Sequence, residues 1–291
     1  MTARTDSGAR PVGRSSSARP VDPAGGGGQS TPRPGFFGTR RLRILVGAGS
    51  LAAGALVWQI YGMLQINNLL IPTFTQAVAA LFEQMGTAEF WQSYAKTLVP
   101  FVFGWLGALV IGIAFGVAMG LVPILEKVSM PYFAFLNALP VSALVPLVVI
   151  AFGLNVIAGA SLVFLFAIVD VVLTSAAGVR YVDKDMVEMA RSFGMGRLRR
   201  FRRVIWPGAM PGVMAAVRVG TGRAIVGMVV MELLLVSSGV GKLITRYKDT
   251  FQSAQLYAVV MSLGIFGLVM LGVTRALERR ALSWQPARKQ S

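Results

Sequence analysis

Of 291 residues, 55% are hydrophobic and 14% charged, and the mean hydropathy of +0.65 makes lipid rather than water the solvent for most of the chain. The formal charge of +16 would suit a nucleic acid, but the basic residues flank apolar runs instead of forming one face, so they read as topology signals and no nucleic-acid partner is expected. Neither Cys nor His occurs, which removes disulfides, thiolate metal sites, His-ligated haem and His general bases; no metal site is expected, and the 14 Met suit packing better than a metal path.

Residues 1–39 are rich in Gly, Pro, Ser and Arg and cannot bury enough apolar surface to fold, so a disordered tail without a cleavable signal is expected. Six apolar runs of bilayer-spanning length follow: Ile44 to Leu64, Thr97 to Leu121, Met130 to Phe152, Ile157 to Val179, Val213 to Val236 and Tyr257 to Leu277. None shows the short alternation of a barrel, so the chain reads as an all-α membrane protein with six transmembrane helices. Between the first two runs, Pro72 opens a segment with Val78, Leu81, Phe82 and Met85 at helical spacing, expected to lie on the outer side, with Phe90 and Trp91 at headgroup depth. Runs three and four are joined by a tight turn at Gly153 to Val156, and Pro140 and Pro146 should kink the third. Gly104, Gly107, Gly112, Gly116 and Gly120 mark the second run as a close-packing helix. With the N-terminus inside, the loops of one side hold 22 Lys and Arg and those of the other hold four, which places both termini in the cytoplasm.

The segment from Glu188 to Pro207 is a polar interruption between apolar runs, and on this count it is cytoplasmic. Asp183 is placed to cap a helix whose first turns carry Asp185 and Glu188, and Gly194 stands where a left-handed cap is wanted. Met186, Met189, Ala190 and Phe193 share one face. A second short helix should follow, with Leu198, Phe201 and Ile205 on a stripe among Arg197, Arg199, Arg200, Arg202 and Arg203, ending at Pro207. Its apolar side chains need burial, either in a groove of a soluble partner or against the ends of the bundle with the arginines on lipid phosphates.

The charges inside the apolar runs include Asp170, Arg218, Arg223 and Glu232. Arg218 and Glu232 lie near opposite ends, whereas Asp170 and Arg223 sit near the middle, where a charge in lipid is costly and must face protein or water. Two readings stand: Arg223 contributes to an anionic-substrate site oriented by Asp170, or the two form a structural ion pair between runs four and five.

The interruption resembles the signature cytoplasmic loop of ABC importer permeases. In this sequence the pattern falls on Glu188, Met189, Ala190, Gly194, Val204, Trp206 and Pro207, with Met, Val and Trp replacing the usual Ala, Ile and Leu. The resemblance extends over about residues 68–284. Asn137 to Pro146, Ala177 to Arg180 and Ser237 to Gly241 are similar to the branch carrying nitrate, sulfonates, taurine, bicarbonate or pyrimidine precursors. It implies a type I importer permease organised as a tail (1–39), a first span with an outer amphipathic segment (40–96), a permease core (97–284) with a coupling hairpin (183–207), and a C-terminal tail (285–291). It also implies a bacterial inner-membrane location, a second permease copy in a homodimer, cytosolic ATPase subunits gripping the Glu188 helix, and an extracytoplasmic solute-binding protein. Selectivity resides largely in that binding protein. No cofactor is then expected in this chain, ATP and Mg being held by the ATPase. Gly239 to Lys242 lacks the first Gly and the Ser or Thr of a P-loop. On this reading Glu188, Met189, Ala190, Gly194 and Pro207 couple to the ATPase, while Asp170, Arg223, Glu232, Pro140 and Pro146 border the solute path. A stand-alone carrier or channel using the Asp170 and Arg223 pair is the alternative, and a membrane enzyme is disfavoured by the missing His and Cys.

Overall fold

The computed structural model describes residues 40–64, 70–235 and 239–283, and every element among them is helical. The expected tails at 1–39 and 285–291, and Ser237 and Ser238, lie outside the described residues. The chain divides into two compact units, 1–52 and 53–291, with helix α1 (Arg40–Leu64) running through the division. In the first unit Leu45, Val46 and Leu51 are exposed, as befits side chains whose solvent is lipid.

In the second unit α2 (Phe74–Met85) precedes α3 (Ala88–Leu121), and α4 (Pro123–Ala138), a short 3₁₀ turn (Val141–Leu144) and α5 (Val145–Phe152) follow. Next come α6 (Val156–Arg180), α7 (Lys184–Ser192), α8 (Arg197–Arg200), a π-helical turn (Phe201–Ile205), α9 (Trp206–Leu235), α10 (Val240–Asp249) and α11 (Ser253–Ala281). Among the described residues five helices are long and apolar enough to cross a bilayer, and a sixth crossing is made only if α4 and residues 141–152 count together.

That pair bends by 88°, so the third span is not the single helix from Met130 to Phe152 that hydropathy predicts. Pro140 explains the break. It forces Leu139 out of the helical region, to φ −74° and ψ 134°, and Pro146 then opens α5 from a position where no N–H is needed. The turn at Gly153 forms as expected: Gly153 takes φ +76°, and the Asn155 side chain accepts from the N–H groups of Ile157 and Ala158 to start α6. The second span begins at Ala88, well before Thr97, because the Thr87 hydroxyl caps it and Pro100 is absorbed within it. A division of the chain at 96 and 97 therefore falls inside one continuous helix.

The centre of the unit is α6, packed along α3 on one side and α9 on the other. Small residues allow this. Cβ atoms added at Gly104, Gly116 and Gly120 would run into backbone carbonyls of α6, and Gly178 of α6 lies against Gly212 of α9. Gly107 meets only the edge of the Phe164 ring. Phe101, Ala108, Leu162, Val163, Ala224, Met228, Val259 and Leu263 fill the interior between α3, α6, α9 and α11.

Helix α2 starts with a capping box between Thr73 and Gln76 and packs on α11. Its buried face is Ala77, Ala80, Leu81 and Gln84, whereas Phe82 and Met85 point outward, so the stripe predicted from hydropathy is turned. Two alanines admit a close approach, and the Gln84 amide donates to the carbonyl of Gln255 at 3.1 Å. Phe90 is buried against Tyr94; only Trp91 stays half-exposed, as a headgroup-depth side chain would.

Candidate functional site

Local chemistry builds α7 from both ends. The Asp183 carboxylate accepts from the Asp185 N–H at 2.9 Å, and Asp185 lies in the first turn, where an acid favours the helix dipole. At the other end Gly194 takes φ +73°, with the Met195 N–H donating to the Ala190 carbonyl and the Gly194 N–H to that of Arg191. This is a complete Schellman closure, which a residue with a Cβ would strain. Ala190 is buried, but Met186, Met189 and Phe193 are 56%, 59% and 81% exposed. Three large apolar side chains thus stand outward on a nine-residue helix and its C-cap, with Glu188 exposed on a different face.

The second half of the hairpin behaves differently. Phe201, Ile205 and Trp206 turn inward and pack with Val117, Val179, Ala209 and Val213, while Leu198 stays exposed. Pro207 does not end this helix, contrary to the sequence-based expectation. The π turn places the Trp206 N–H on the Phe201 carbonyl, five residues back, and the widened turn admits the proline ring near the start of α9. A single helical run of 38 residues, Arg197–Leu234, therefore joins the second half of the hairpin to the far end of the span. Of the expected coupling set, Glu188, Met189, Ala190 and Gly194 lie together on α7 and its cap; Pro207 lies in that run.

Asp170 on α6 and Arg223 on α9 meet: Nε of Arg223 is 2.9 Å from Oδ2 of Asp170. The Arg223 side chain remains 53% exposed and that of Asp170 24%, so the guanidinium keeps open donors while the carboxylate is mostly covered. Arg218 does more than snorkel, donating to both carboxylate oxygens of Glu278 on α11 at 2.9 and 2.8 Å. Arg180 at the end of α6 pairs with Glu126 of α4. On the opposite side of the bundle Arg246 donates to Glu89 at 2.6 Å, and that bond holds its guanidinium above its ordinary pKa. The partners Glu89, Glu126 and Glu278 were not singled out from sequence, although each is an acid at a helix end on the side its arginine occupies.

Glu232 is buried and turned away from the pair, about 13 Å from Arg223 along α9. Its carboxylate accepts from the Gly241 N–H, and beside it the Thr97 hydroxyl oxygen accepts from the Val240 N–H at 3.0 Å. The chain's own acid thus occupies the first turn of α10, where an anion would otherwise sit, and Gly239 to Lys242 holds no phosphate cradle. Pro140 and Pro146 are exposed at the bend of α4 and α5, beside exposed Leu136, Leu147 and Ile150. Among the described residues no hydrogen bond or ion pair joins either proline or Glu232 to the Asp170 and Arg223 pair. No group of three or more acids that could hold a metal occurs among the described residues.

Residues 108–283 match the profile of the binding-protein-dependent transport system inner membrane component family, over half of the chain. The chain belongs to this family. It is a multi-pass inner-membrane permease of the ABC importer type. It is 28% identical over 248 residues to the taurine transport system permease protein of Escherichia coli K12, covering 83% of this chain and 90% of that one. It is 23% identical over 258 residues to a bicarbonate transport system permease protein of Synechocystis, covering 85% and 91%. It is 26% identical over 181 residues to a nitrate import permease protein of Leptolyngbya laminosa, covering 62% and 64%. A crystal structure of an amino acid ABC transporter with histidines superposes with a TM-score of 0.51 at 18% identity, over 71% of this chain and 96% of that one, a likeness of fold.

Proposed function

We propose that this chain is the membrane-spanning subunit of an ATP-driven importer for a small anionic solute, working as a homodimer with cytosolic ATPase subunits and an extracytoplasmic binding protein. The observation that carries the reading is α7, a helix capped at both ends that holds Met186, Met189 and Phe193 outward on one face. An apolar face so displayed on an otherwise polar segment is suited to a groove in a soluble partner. The chain hydrolyses no ATP on this reading; ATP and Mg belong to the partner. The imbalance of 22 basic residues against four supports cytoplasmic termini and a cytoplasmic hairpin.

Geometry connects motor to solute. From Arg197 the second half of the hairpin leads without a break into α9, and α9 carries Arg223. The close contact of Gly178 with Gly212 fixes α9 to α6, so movement of α7 carries both members of the pair together. Arg223, half-exposed and opposed by a single carboxylate, offers the planar donor array that sulfonate, nitrate or bicarbonate oxygens would meet in passing. The relatives for taurine, nitrate and bicarbonate support an anion of this kind. Binding of candidate anions to the cognate extracytoplasmic protein, followed by ATP-coupled uptake in proteoliposomes, tests the assignment. Uptake without any ATPase would instead make the chain a stand-alone carrier.

A further inference from the structure

Five arginines lie between Gly196 and Val204, and the ion pairs of the described residues engage none of them. We propose that Arg199, Arg202 and Arg203, with Arg197 beside them, bind the phosphate groups of anionic membrane lipids. The spacing of Arg199, Arg202 and Arg203 puts them on one side of the helical run, and with Arg197 and Leu198 they line one concavity of about 900 Å³. All four are exposed. Carboxylates that could neutralise them are elsewhere: Asp185 and Glu188 border a separate hollow with Lys184, Arg191 and Arg200. Four like charges converge on one space with no counter-charge, an arrangement that favours an anion with several acceptor oxygens.

Depth selects the lipid. Val182, just past the end of α6, packs on Gly208 of α9, which marks that level as the cytoplasmic edge of the apolar bundle. Arg203 precedes Gly208 by five residues, about 8 Å along the helix, which places its guanidinium in a headgroup layer roughly 5–8 Å thick. Arginine forks bind phosphate through two parallel bonds, and basic clusters directly beside a membrane span gather anionic lipid. This function differs from the docking of α7, whose cap Gly194 borders the same concavity, and it makes the lipid phosphate part of what holds the hairpin at the membrane surface.

The test is native mass spectrometry of the full-length chain released from micelles doped equally with phosphatidylglycerol and phosphatidylcholine. Wild type should retain phosphatidylglycerol selectively, and the triple variant Arg199→Gln, Arg202→Gln, Arg203→Gln should retain about tenfold less while phosphatidylcholine is unchanged. The corresponding triple Lys variant should keep most of the selectivity, and inorganic phosphate should not displace the lipid. Glu188→Lys should leave lipid retention intact, whatever it does to an ATPase partner. Should the triple Gln variant fail to insert, Arg202→Gln and Arg203→Gln singly should each lose about threefold. Unchanged phosphatidylglycerol in the Gln variants overturns the proposal. So does a triple variant that loses ATPase co-purification with its lipid retained, which would assign the patch to the motor.

Discussion

Prolines within the spans of this protein act in opposite ways. Pro140 turns the chain by 88° between α4 and residues 141–152, yet Pro207 and Pro211 leave α9 continuous. The difference lies in the surroundings. Helix α9 is packed along α6, with Ala209, Val213 and Ala216 buried, so neighbouring side chains hold its axis while a π turn takes up the missing hydrogen bond. Around Pro140 the residues Phe135, Leu136 and Leu147 are exposed, and nothing in the monomer opposes the bend. A proline is therefore a hinge or an ordinary residue according to the packing on either side of it. On the proposed function α9 is a stiff lever, and the α4 and α5 pair is the part with a bend.

Substitutions can break that contrast or sharpen it. The largest effect belongs to Gly212→Leu, which drives a side chain into Gly178; loss of the α6 and α9 contact should cost about 3 kcal/mol, read as a lowered melting temperature and failure to assemble. If α9 tolerates it, the stiff-lever description is wrong. Next come Asp170→Asn and Arg223→Gln, each expected to reduce uptake about tenfold or more because each leaves a mid-membrane partner uncompensated. The double variant should remain inactive, with Arg223→Lys partly active; rescue in the double variant would make the pair structural. Glu232→Ala should lower stability by about 1–3 kcal/mol by leaving the buried Gly241 N–H unpaired, with Glu232→Gln milder, as thermal unfolding would show. Smallest are the prolines themselves. Pro207→Ala should change stability by less than about 0.5 kcal/mol, whereas Pro140→Ala should alter the distance between spin labels at Leu136 and Leu147 with little change in insertion.

Much of this was legible in the sequence where the determinants are local. Asp183 and Gly194 act within a few residues of themselves, so the ends of α7 could be read directly, as could the Gly153 turn. Asp170 and Arg223 were recognisable because a charge in an apolar run demands a partner, and there are few to choose from. Glu126 and Glu278 escaped notice because acids at helix ends are ordinary, and only tertiary packing shows which arginine each one meets. The inward face of α2 and the continuation past Pro207 depend on Ala77 and Ala80 fitting α11 and on a widened turn, neither of which leaves a periodic signature. The division of the hairpin into an outward half with Met186, Met189 and Phe193 and an inward half with Phe201 and Ile205 likewise required the bundle to be in place.

The central claim is that α7 receives a cytosolic ATPase, and co-purification tests it most directly. The affinity-tagged chain, extracted from its native membrane, should bring an ABC ATPase with it in stoichiometric amount. Glu188→Lys, which inverts an exposed charge on α7, and Gly194→Val, which strains the φ +73° cap, should each reduce that amount about tenfold with the chain still inserted. An ATPase retained at wild-type level by both variants, with uptake still coupled to ATP turnover, would contradict the account.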